Sequence, residues 1–316
     1  MGGADQGKRD LRRLANGMKL KLAENFRAVF YAPFYATAAL GLYEQNDVAV
    51  ELVTFSGAGE GVSALLEGRV DVAWGGPMRV MKHHDADPGS PLVCFGEVVA
   101  RDPFYLVAAK QCDAARLEDL AGLRFAAVSE VPTPWLCLQH DLRARGLDPQ
   151  RLNRAPERPM RANLQALCEG RLDVAQLFEP YVSLALNSGG RILYAASTRG
   201  PTVYTSLITT RAAIQQHHGS FTRMLRATAE MQNWLVSHSA DELAEVTKSY
   251  FPGIARDILA SAFARYRDGE VWAQTPDFSK AGFTRLGECL LSSGFLSRPP
   301  VYEECVNQCL RAPRPH

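Results

Sequence analysis

The nine residues LLEGRVDVA at 65–73 return almost unchanged as LCEGRLDVA at 167–175. Both copies read L-x-E-G-R-x-D-V-A, and both follow apolar residues at the three- and four-residue spacing of one helix face. A glycine directly after such a segment predicts the end of a helix, and the apolar residues beyond it predict a buried strand. We therefore predict two helix–glycine–strand units of related construction, one in each of two lobes.

Predicted strands alternate with short helices on either side of these units. Apolar runs indicate strands at 48–55, 92–99 and 104–109, among others. This order is typical of a mostly parallel sheet covered by helices on both faces. Beyond Ser220 the helical period prevails, and S-A-D-E at 239–242 matches a capping box. The predicted fold class is α/β.

The composition argues against two classes of protein, those that bind nucleic acid and those that span a membrane. The chain has 316 residues, 47% of them hydrophobic and 22% charged, and a net charge of +1. This balance gives no support for nucleic-acid binding, which favours a basic surface. No apolar run approaches the roughly 18 residues that a transmembrane helix needs. Residues 1–19 are charged and lack the apolar core of a secretory signal, so we interpret them as a disordered lead-in or an appended remnant.

The seven cysteines are odd in number and mostly scattered through apolar segments, which argues against a disulfide framework. Cys94, Cys137, Cys168 and Cys289 lie where a small buried apolar residue would serve. Neither a histidine nor a second cysteine pair accompanies Cys305 and Cys309, so we predict no metal site and no cofactor.

Predicted strand-to-helix junctions in the first lobe carry flat rings, glycine-rich turns and one cation. If these junctions meet at one cleft, their residues are candidates for ligand binding. They are Phe30, Tyr31, Phe34, Tyr35, Ser56, Gly57, Trp74, Gly75, Gly76 and Arg79. The second lobe and the segment that returns from it add Thr133, Trp135, Glu179, Tyr181, Tyr204 and Thr205.

These residue types favour a planar ligand. Backbone amides at helix starts accept anionic groups, and Arg79 adds a positive charge. The rings nevertheless fit a small heteroaromatic molecule better than a bare oxyanion. Glu179 is then expected to accept from ring amino groups, and Thr133 to cap a helix that faces the cleft. We expect Trp74→Ala and Glu179→Ala each to weaken binding without unfolding the chain.

Four segments resemble a known family. They are PFYATAALGLYEQNDVAVELV at 33–53, LLEGRVDVAWGGP at 65–77, LEDLAGLRFAA at 117–127 and LCEGRLDVAQLFEP at 167–180. Together with the helical tail they resemble the periplasmic binding proteins for alkanesulfonate, taurine, nitrate and thiamine-pyrimidine precursors. The resemblance covers nearly the whole chain beyond residue 20, and its motifs are individually loose but keep their order.

The resemblance implies a type II periplasmic-binding fold. Lobe 1 would comprise residues 20–102 and 205–316, and lobe 2 residues 103–204. Two crossing strands, near 98–104 and 202–207, would form the hinge, and the ligand would lie between the lobes. The implied function is that of the substrate-binding component of an ABC importer: a monomer that binds a small molecule, docks on a permease and works in the periplasm.

Three alternatives remain open at this point. The ligand could be a small sulfonate or carboxylate, and the lack of a signal segment would suit a cytoplasmic sensor. The third is an enzyme, because the family includes the yeast-type thiamine-pyrimidine synthase, which consumes its own histidine and bound pyridoxal phosphate. Its lysine and histidine align with Gly75 and Arg79, and no two cysteines are adjacent here, in contrast to its iron motif. We therefore predict a binding protein without catalytic residues.

Overall fold

The computed structural model describes residues 19–55, 57 and 59–310. The predicted remnant at 1–19 lies outside the described residues except for Lys19. The strands are β1 (Leu20–Glu24), β2 (Val50–Thr54), β3 (Val72–Gly75), β4 (Leu92–Val99), β5 (Tyr105–Ala108), β6 (Phe125–Ala126), β7 (Val174–Leu177), β8 (Arg191–Ala195) and β9 (Thr205–Thr210).

Helices lie between and after these strands. The α-helices are α1 (Ala32–Ala39), α2 (Leu42–Gln45), α3 (Glu60–Leu66), α4 (Met78–Ala86), α5 (Thr133–Ala144), α6 (Met160–Cys168), α7 (Tyr181–Asn187), α8 (Arg211–Ser237), α9 (Ala240–Thr247), α10 (Arg256–Asp268), α11 (Lys280–Ser292) and α12 (Tyr302–Cys305). Short 3-10 turns occupy Val29–Tyr31, Leu117–Leu120, Pro149–Arg151, Ala196–Arg199 and Lys248–Tyr250. No helix in the described ranges is long and apolar enough to cross a bilayer.

The strands form two mixed sheets. The first has the order β2-β1-β3-β9-β4 and the second the order β6-β7-β5-β8. The prediction of mostly parallel sheets is wrong in this respect, because β9 runs antiparallel to β3 and β4, and β5 runs antiparallel to β7 and β8. The reason is topological: the chain leaves the first sheet at the end of β4 and returns on β9, which inserts in the opposite direction between β3 and β4.

The repeated sequence folds in the same way in both sheets. Gly68 follows α3 and Gly170 follows α6, and both glycines have a φ of 69°, a left-handed value that favours glycine. Behind each glycine the chain turns into a strand, β3 in one sheet and β7 in the other. The prediction of two matching helix–glycine–strand units is therefore confirmed.

The aspartate of the repeat also has the same role twice. The Asp71 carboxylate accepts a hydrogen bond from the backbone amide of Lys21, at the start of β1, at 2.8 Å. The Asp173 carboxylate accepts one from the Arg124 backbone amide at 2.7 Å, just before β6. Each aspartate thus fixes its strand in register with the parallel neighbour, so that the residues following both strands emerge at a defined sheet edge. The capping box at 239–242 is confirmed as well, because Ser239 and Glu242 each accept from the other's backbone amide.

A buried ionic cluster joins the two connections between the sheets. Arg199 lies on the connection from β8 to β9 and donates to Asp102, on the connection from β4 to β5, at 3.0 Å. The same guanidinium donates to Asp141 of α5 at 2.8 Å, and Tyr194 also donates to Asp141 at 2.9 Å. The side chains of Arg199, Asp102 and Asp141 are only 5%, 1% and 6% exposed. Both connections are therefore tied to each other and to α5.

A second buried carboxyl lies on β4. Glu97 is 2% exposed and accepts a hydrogen bond from the Ser279 backbone amide, which precedes α11, at 2.9 Å. Burial raises the pKa of Glu97 to about 8, against which the hydrogen bond from Ser279 acts. Glu97 is therefore protonated at neutral pH in the folded protein.

This carboxyl should make stability depend on pH. The folded pKa of about 8 lies above the pKa of Glu97 in the unfolded chain. At a pH between these two pKa values, Glu97 holds its proton only in the folded protein. As the pH rises from roughly 5 to 8, the free energy of unfolding should therefore fall by up to about 1.4 kcal/mol per pH unit. Urea titrations of Glu97→Gln should lack this slope, whereas the exposed control Glu288→Gln should keep it. Identical pH profiles for Glu97→Gln and the parent chain would contradict the assignment.

Candidate ligand-binding site

The aromatic residues predicted to line a cleft lie mainly in its supporting core. Phe30, Phe34, Tyr35 and Trp74 are 0%, 4%, 0% and 1% exposed. The Trp74 ring stacks on Phe34 with centroids 4.4 Å apart and meets the edge of Tyr35 at 5.6 Å. The expectation that these rings offer free surface is wrong for this conformation. Trp74 lies on β3 inside the first sheet, and α1 brings Phe34 and Tyr35 onto it, so these rings exclude water from one another. Phe30 packs instead on Phe104 and Phe178.

Tyr31 has a different position. It lines a small chamber between the two sheets, which we call the inner chamber, and its hydroxyl accepts from Asn25 Nδ2 at 3.3 Å. The chamber has about 20 Å³ of free space, about enough for one water. Its lining comes from the ends of β1 and β3, the starts of α4 and α5, and the connection into β9. The lining residues are Asn25, Phe26, Tyr31, Gly76, Met78, Arg79, Val131, Pro132, Thr133 and Tyr204.

Arg79 supplies the charge of the inner chamber. Burial lowers the pKa of Arg79, and nearby Tyr31 and Tyr204 oppose that effect, but an arginine remains a cation. Its guanidinium packs so closely on Gly59 that a β-carbon there would lie 2.5 Å from Nη1. The Gly59 amide is not open to a ligand, because it donates to Asn25 Oδ1 at 2.9 Å. The positive charge in this chamber therefore comes from a side chain rather than from the glycine-rich turn.

The remaining glycine candidates contribute less. Ser56 lies outside the described residues, and Gly57 is half-buried next to Glu60. Gly75 is part of β3, where it pairs with Ser206. Only Gly76, just after the strand, reaches the inner chamber.

A larger space, which we call the outer pocket, opens between the same two sheets. Its volume is about 900 Å³, within the range of small-molecule sites. Its lining includes the segment after β1, the end of β2, α6, the segment after β7 and the loop before α10. The residues are Arg27, Ala28, Val29, Thr54, Arg161, Leu164, Phe178, Glu179, Pro180, Tyr181, Leu184, Tyr250, Phe251, Pro252, Gly253 and Ile254.

Two rings stand between these spaces. Phe26 lines the inner chamber and Phe178 the outer pocket, and their centroids are 6.4 Å apart. Phe26 follows the first sheet and Phe178 follows β7 of the second. Residues that follow β1 of the first sheet and β7 of the second sheet therefore meet between the two spaces, which together we call the crevice. The lining of the outer pocket includes Glu179 and Tyr181.

Glu179 is a buried, partnered carboxylate. It is 0% exposed, its Oε2 accepts from the Ser183 backbone amide at 3.0 Å, and Arg265 Nη1 lies 3.1 Å from its Oε1. Burial raises the pKa of Glu179, and Arg265 lowers it. The Oε1 atom makes no hydrogen bond of suitable geometry within the described part of the chain.

The charges of the crevice are unevenly paired. Arg27 is paired with Glu24 at 2.9 Å, and Glu179 with Arg265. Two further arginines line the spaces, Arg79 in the inner chamber and Arg161 in the outer pocket. In residues 19–55, 57 and 59–310 neither makes an ion pair with a carboxylate. The unpaired charges that line the crevice are therefore positive on both sides.

The candidate residues predicted from the second lobe and its return segment lie in different places. Thr133 and Tyr204 line the inner chamber, and Thr205 is fully buried at the start of β9. Thr133 is the first residue of α5 rather than its cap, and no side chain among the described residues caps that helix, so the predicted capping role is wrong. Trp135 lies apart from both spaces, because its ring packs on Phe125 at 5.9 Å and under Arg154 at 4.9 Å.

Sequence reasoning missed several lining residues. The pair Asn25-Phe26 follows β1 directly, and its position at a strand end was the available signal. Arg161 and Tyr250 carry no such signal, because helix α6 and the loop before α10 reach the crevice only through the packing of the two sheets. Within the described ranges no group of three histidine, cysteine or acidic side chains is placed to bind a metal ion.

Known proteins share this architecture. The Bacillus subtilis protein named "Putative binding protein YtlA" is 23% identical over 293 residues, which cover 92% of this chain and 88% of that protein. The periplasmic aliphatic sulphonate binding protein SsuA from Escherichia coli superposes with a TM-score of 0.75 at 17% identity, covering 92% of this chain and 98% of SsuA. The ligand binding component of an ABC-type import system from Staphylococcus aureus, with zinc bound, superposes with a TM-score of 0.71 at 18% identity, covering 93% and 98%.

An enzyme shares the fold too. The desulfurization enzyme DSZB superposes with a TM-score of 0.69 at 15% identity, covering 92% of this chain and 98% of the enzyme. At such identities these likenesses show the fold alone, and they confirm the predicted periplasmic-binding architecture. The family follows from a different finding, since residues 29–241 match the family model described as NMT1/THI5 like. This match covers more than half of the chain, and the protein therefore belongs to the NMT1/THI5-like family.

Proposed function

We propose that the protein is the solute-binding component of an ABC-type importer and that its ligand is a small organic anion with a planar body. Binding proteins with this fold, including one named as part of an ABC-type import system, support the first part of the proposal. The observation that carries the second is the pair of arginines, Arg79 and Arg161, that line the crevice from opposite sheets without acidic partners among the described residues.

Uncompensated arginines favour an anionic ligand for an electrostatic reason. A guanidinium removed from water loses hydration that only an anion or several acceptors can replace, and its planar fork matches a carboxylate or sulfonate. A neutral heterocycle would leave the charge of the half-buried Arg79 unbalanced, whereas the exposed Arg161 would add attraction for the same anion from the other lobe. The acidic group is therefore an addition to the heteroaromatic ligand predicted from sequence, and the sulfonate or carboxylate alternative becomes part of the same molecule.

The planar body is assigned to the outer pocket. Phe178, Tyr181 and Tyr250 line it, and its volume of about 900 Å³ exceeds what a bare oxyanion needs. Aromatic side chains of this kind stack on flat ligands. Glu179 Oε1 lies 3.1 Å from Arg265 Nη1 but makes no hydrogen bond of suitable geometry among the described residues, so it is a candidate acceptor for a ring amino group.

Movement of the two sheets is part of the proposal. The inner chamber holds about one water in this conformation, so an acidic group can bind at Arg79 only when the lining of the chamber moves apart. We propose that lobe 1 (20–102 and 205–316) and lobe 2 (103–204) rotate about their two connections, as two-lobed binders do on ligand closure. The permease partner, the monomeric state and the periplasmic location belong to the same proposal.

The enzyme alternative remains the second candidate only because of DSZB. Against it, the sequence places Gly75 and Arg79 where the related pyrimidine synthase carries its lysine and histidine, and Gly75 is hydrogen-bonded within the first sheet. A binder should release every bound molecule chemically unchanged, which mass spectrometry of the recovered ligand can check.

The ligand class can be tested by calorimetry and melting shift. Benzenesulfonate, nicotinate and the neutral 4-aminopyrimidine serve as probes, and the expected result is that an anion binds and raises Tm by mass action. Arg79→Gln and Arg161→Gln should each weaken that binding by about 10- to 150-fold, the effect of losing one charged hydrogen bond.

The matched control is Arg171→Gln, a change at an exposed arginine of the repeat, which should leave Kd unchanged. Binding of the neutral pyrimidine with equal affinity by all three variants would overturn the anionic assignment. If none of a wider set of anions and heterocycles bound, the proposed function itself would fail.

A further inference from the structure

Two cysteines meet across the proposed lobe boundary, away from the ligand crevice. Cys137 lies on α5, which follows β6 of the second sheet, and Cys289 lies on α11, beyond β9 of the first sheet. Both side chains belong to one buried apolar cluster, and the two helices pack on each other so that the thiols lie within reach of each other. One helical turn further along the same contact, His140 Nδ1 and Ser292 Oγ are 3.1 Å apart. The two sulfurs are therefore neighbours within an extended packing contact.

We infer that Cys137 and Cys289 are a disulfide-forming site that, when oxidised, ties the two lobes together. The sequence alone indicates only small buried apolar residues at these positions, because nothing in their spacing brings them together. Their contact is a property of the tertiary structure. The inference does not depend on the identity of the ligand.

The surroundings favour ionisation of one thiol. Contact with Cys137 lowers the pKa of Cys289, and the nearby Arg199 guanidinium acts in the same direction, whereas burial opposes both effects. The thiolate is the form of cysteine that attacks disulfides. Cys289 is therefore the first nucleophile and Cys137 the thiol that resolves the intermediate.

The chemistry requires an external disulfide as oxidant, such as glutathione disulfide. The Cys289 thiolate attacks one sulfur of the oxidant, which forms a mixed disulfide and releases one glutathione thiolate. The Cys137 thiolate then attacks the Cys289 sulfur, which forms the protein disulfide and releases the second glutathione. Two protein thiols are oxidised, and one glutathione disulfide is reduced to two thiols.

Access to the site links this reaction to motion. Cys137 and Cys289 are 1% and 0% exposed, so an oxidant can reach them only when α5 and α11 separate. Helix α5 begins at Thr133, which lines the inner chamber, and α11 also packs on α4, which begins next to that chamber. Separation of the lobes would admit the oxidant, and the resulting bond would hold these helices together.

The test is oxidation of the full chain by glutathione disulfide without any ligand. We expect peptide mapping under non-reducing conditions to find a link between Cys137 and Cys289. The melting temperature should rise by roughly 5–10 °C, because the bond closes a long loop of the unfolded chain. Dithiothreitol should reverse both changes.

Variants separate this site from general thiol chemistry. Cys137→Ser and Cys289→Ser should abolish the link and the shift in Tm, whereas Cys168→Ser and Cys309→Ser, at exposed cysteines, should retain both. If a serine variant fails to fold, peptide mapping of the oxidised unaltered chain still shows whether Cys137 and Cys289 are linked. The inference is overturned if Cys137 and Cys289 stay reduced while Cys168 and Cys309 react, or if either forms a link to another cysteine. Failure to find a ligand would count against the proposed function and not against this result.

Discussion

Replacement of Arg199 by methionine is expected to lower the free energy of unfolding by about 3–5 kcal/mol. That is the usual effect of removing one partner from a buried ion pair, because the remaining charge stays buried without compensation. Here two carboxylates would remain, since Arg199 contacts both Asp102 and Asp141 and all three side chains are at most 6% exposed. Chemical denaturation monitored by circular dichroism measures the change.

A control and a rescue distinguish this mechanism from a loss of packing. Arg171→Met removes an arginine that is 51% exposed in its ion pair with Glu169, and it should change stability by less than about 1 kcal/mol. Adding Asp102→Asn and Asp141→Asn to Arg199→Met should recover part of the lost stability, because no uncompensated charge then remains. A loss no larger than that of the control would show that the cluster does not hold the connections together.

Trp74→Ala should destabilise the fold by about 3–5 kcal/mol, in contrast to the expectation from sequence that it affects binding alone. Removing a fully buried large aromatic side chain loses its transfer free energy and leaves a cavity. Trp74 is 1% exposed and in ring contact with Tyr31, Phe34 and Tyr35, so the cavity would open at the centre of this cluster.

The matched variant is Trp74→Phe, which retains an aromatic ring and removes the indole Nε1, an atom without a hydrogen-bond partner in the described residues. It should cost much less than the alanine variant. Urea titration gives both values. A stable Trp74→Ala protein with weakened ligand binding would show instead that the tryptophan faces the crevice in the ligand-binding conformation.

The two-sheet architecture could be predicted because the repeat is a local signal with a fixed structural meaning. Gly68 and Gly170 adopt the same left-handed conformation, and Asp71 and Asp173 accept from equivalent backbone amides. Local sequence dictates such turns, and the same turn twice indicates the same unit twice. The mixed direction of the strands did not follow, because the insertion of β9 between β3 and β4 depends on the return path of the chain.

The candidate site was only partly predictable for the same reason. A sequence shows that aromatic residues stand at strand-to-helix junctions, but not which rings face each other and which face a cavity. Tyr31 and Trp74 belong to the same cluster, and only Tyr31 reaches the inner chamber. Arg161 and the Cys137–Cys289 contact come from packing between elements far apart in the chain, which no local pattern encodes.

The place of β9 also has a consequence for synthesis on the ribosome. All strands of the second sheet lie between Tyr105 and Ala195, whereas the first sheet lacks its fourth strand in spatial order until Thr205–Thr210 has been made. The second sheet can therefore form completely before β9, the strand that pairs with both β3 and β4, has been synthesised. Domains usually fold in order from the N-terminus during synthesis. In this chain the second sheet, in the middle of the sequence, should fold before the first sheet is complete.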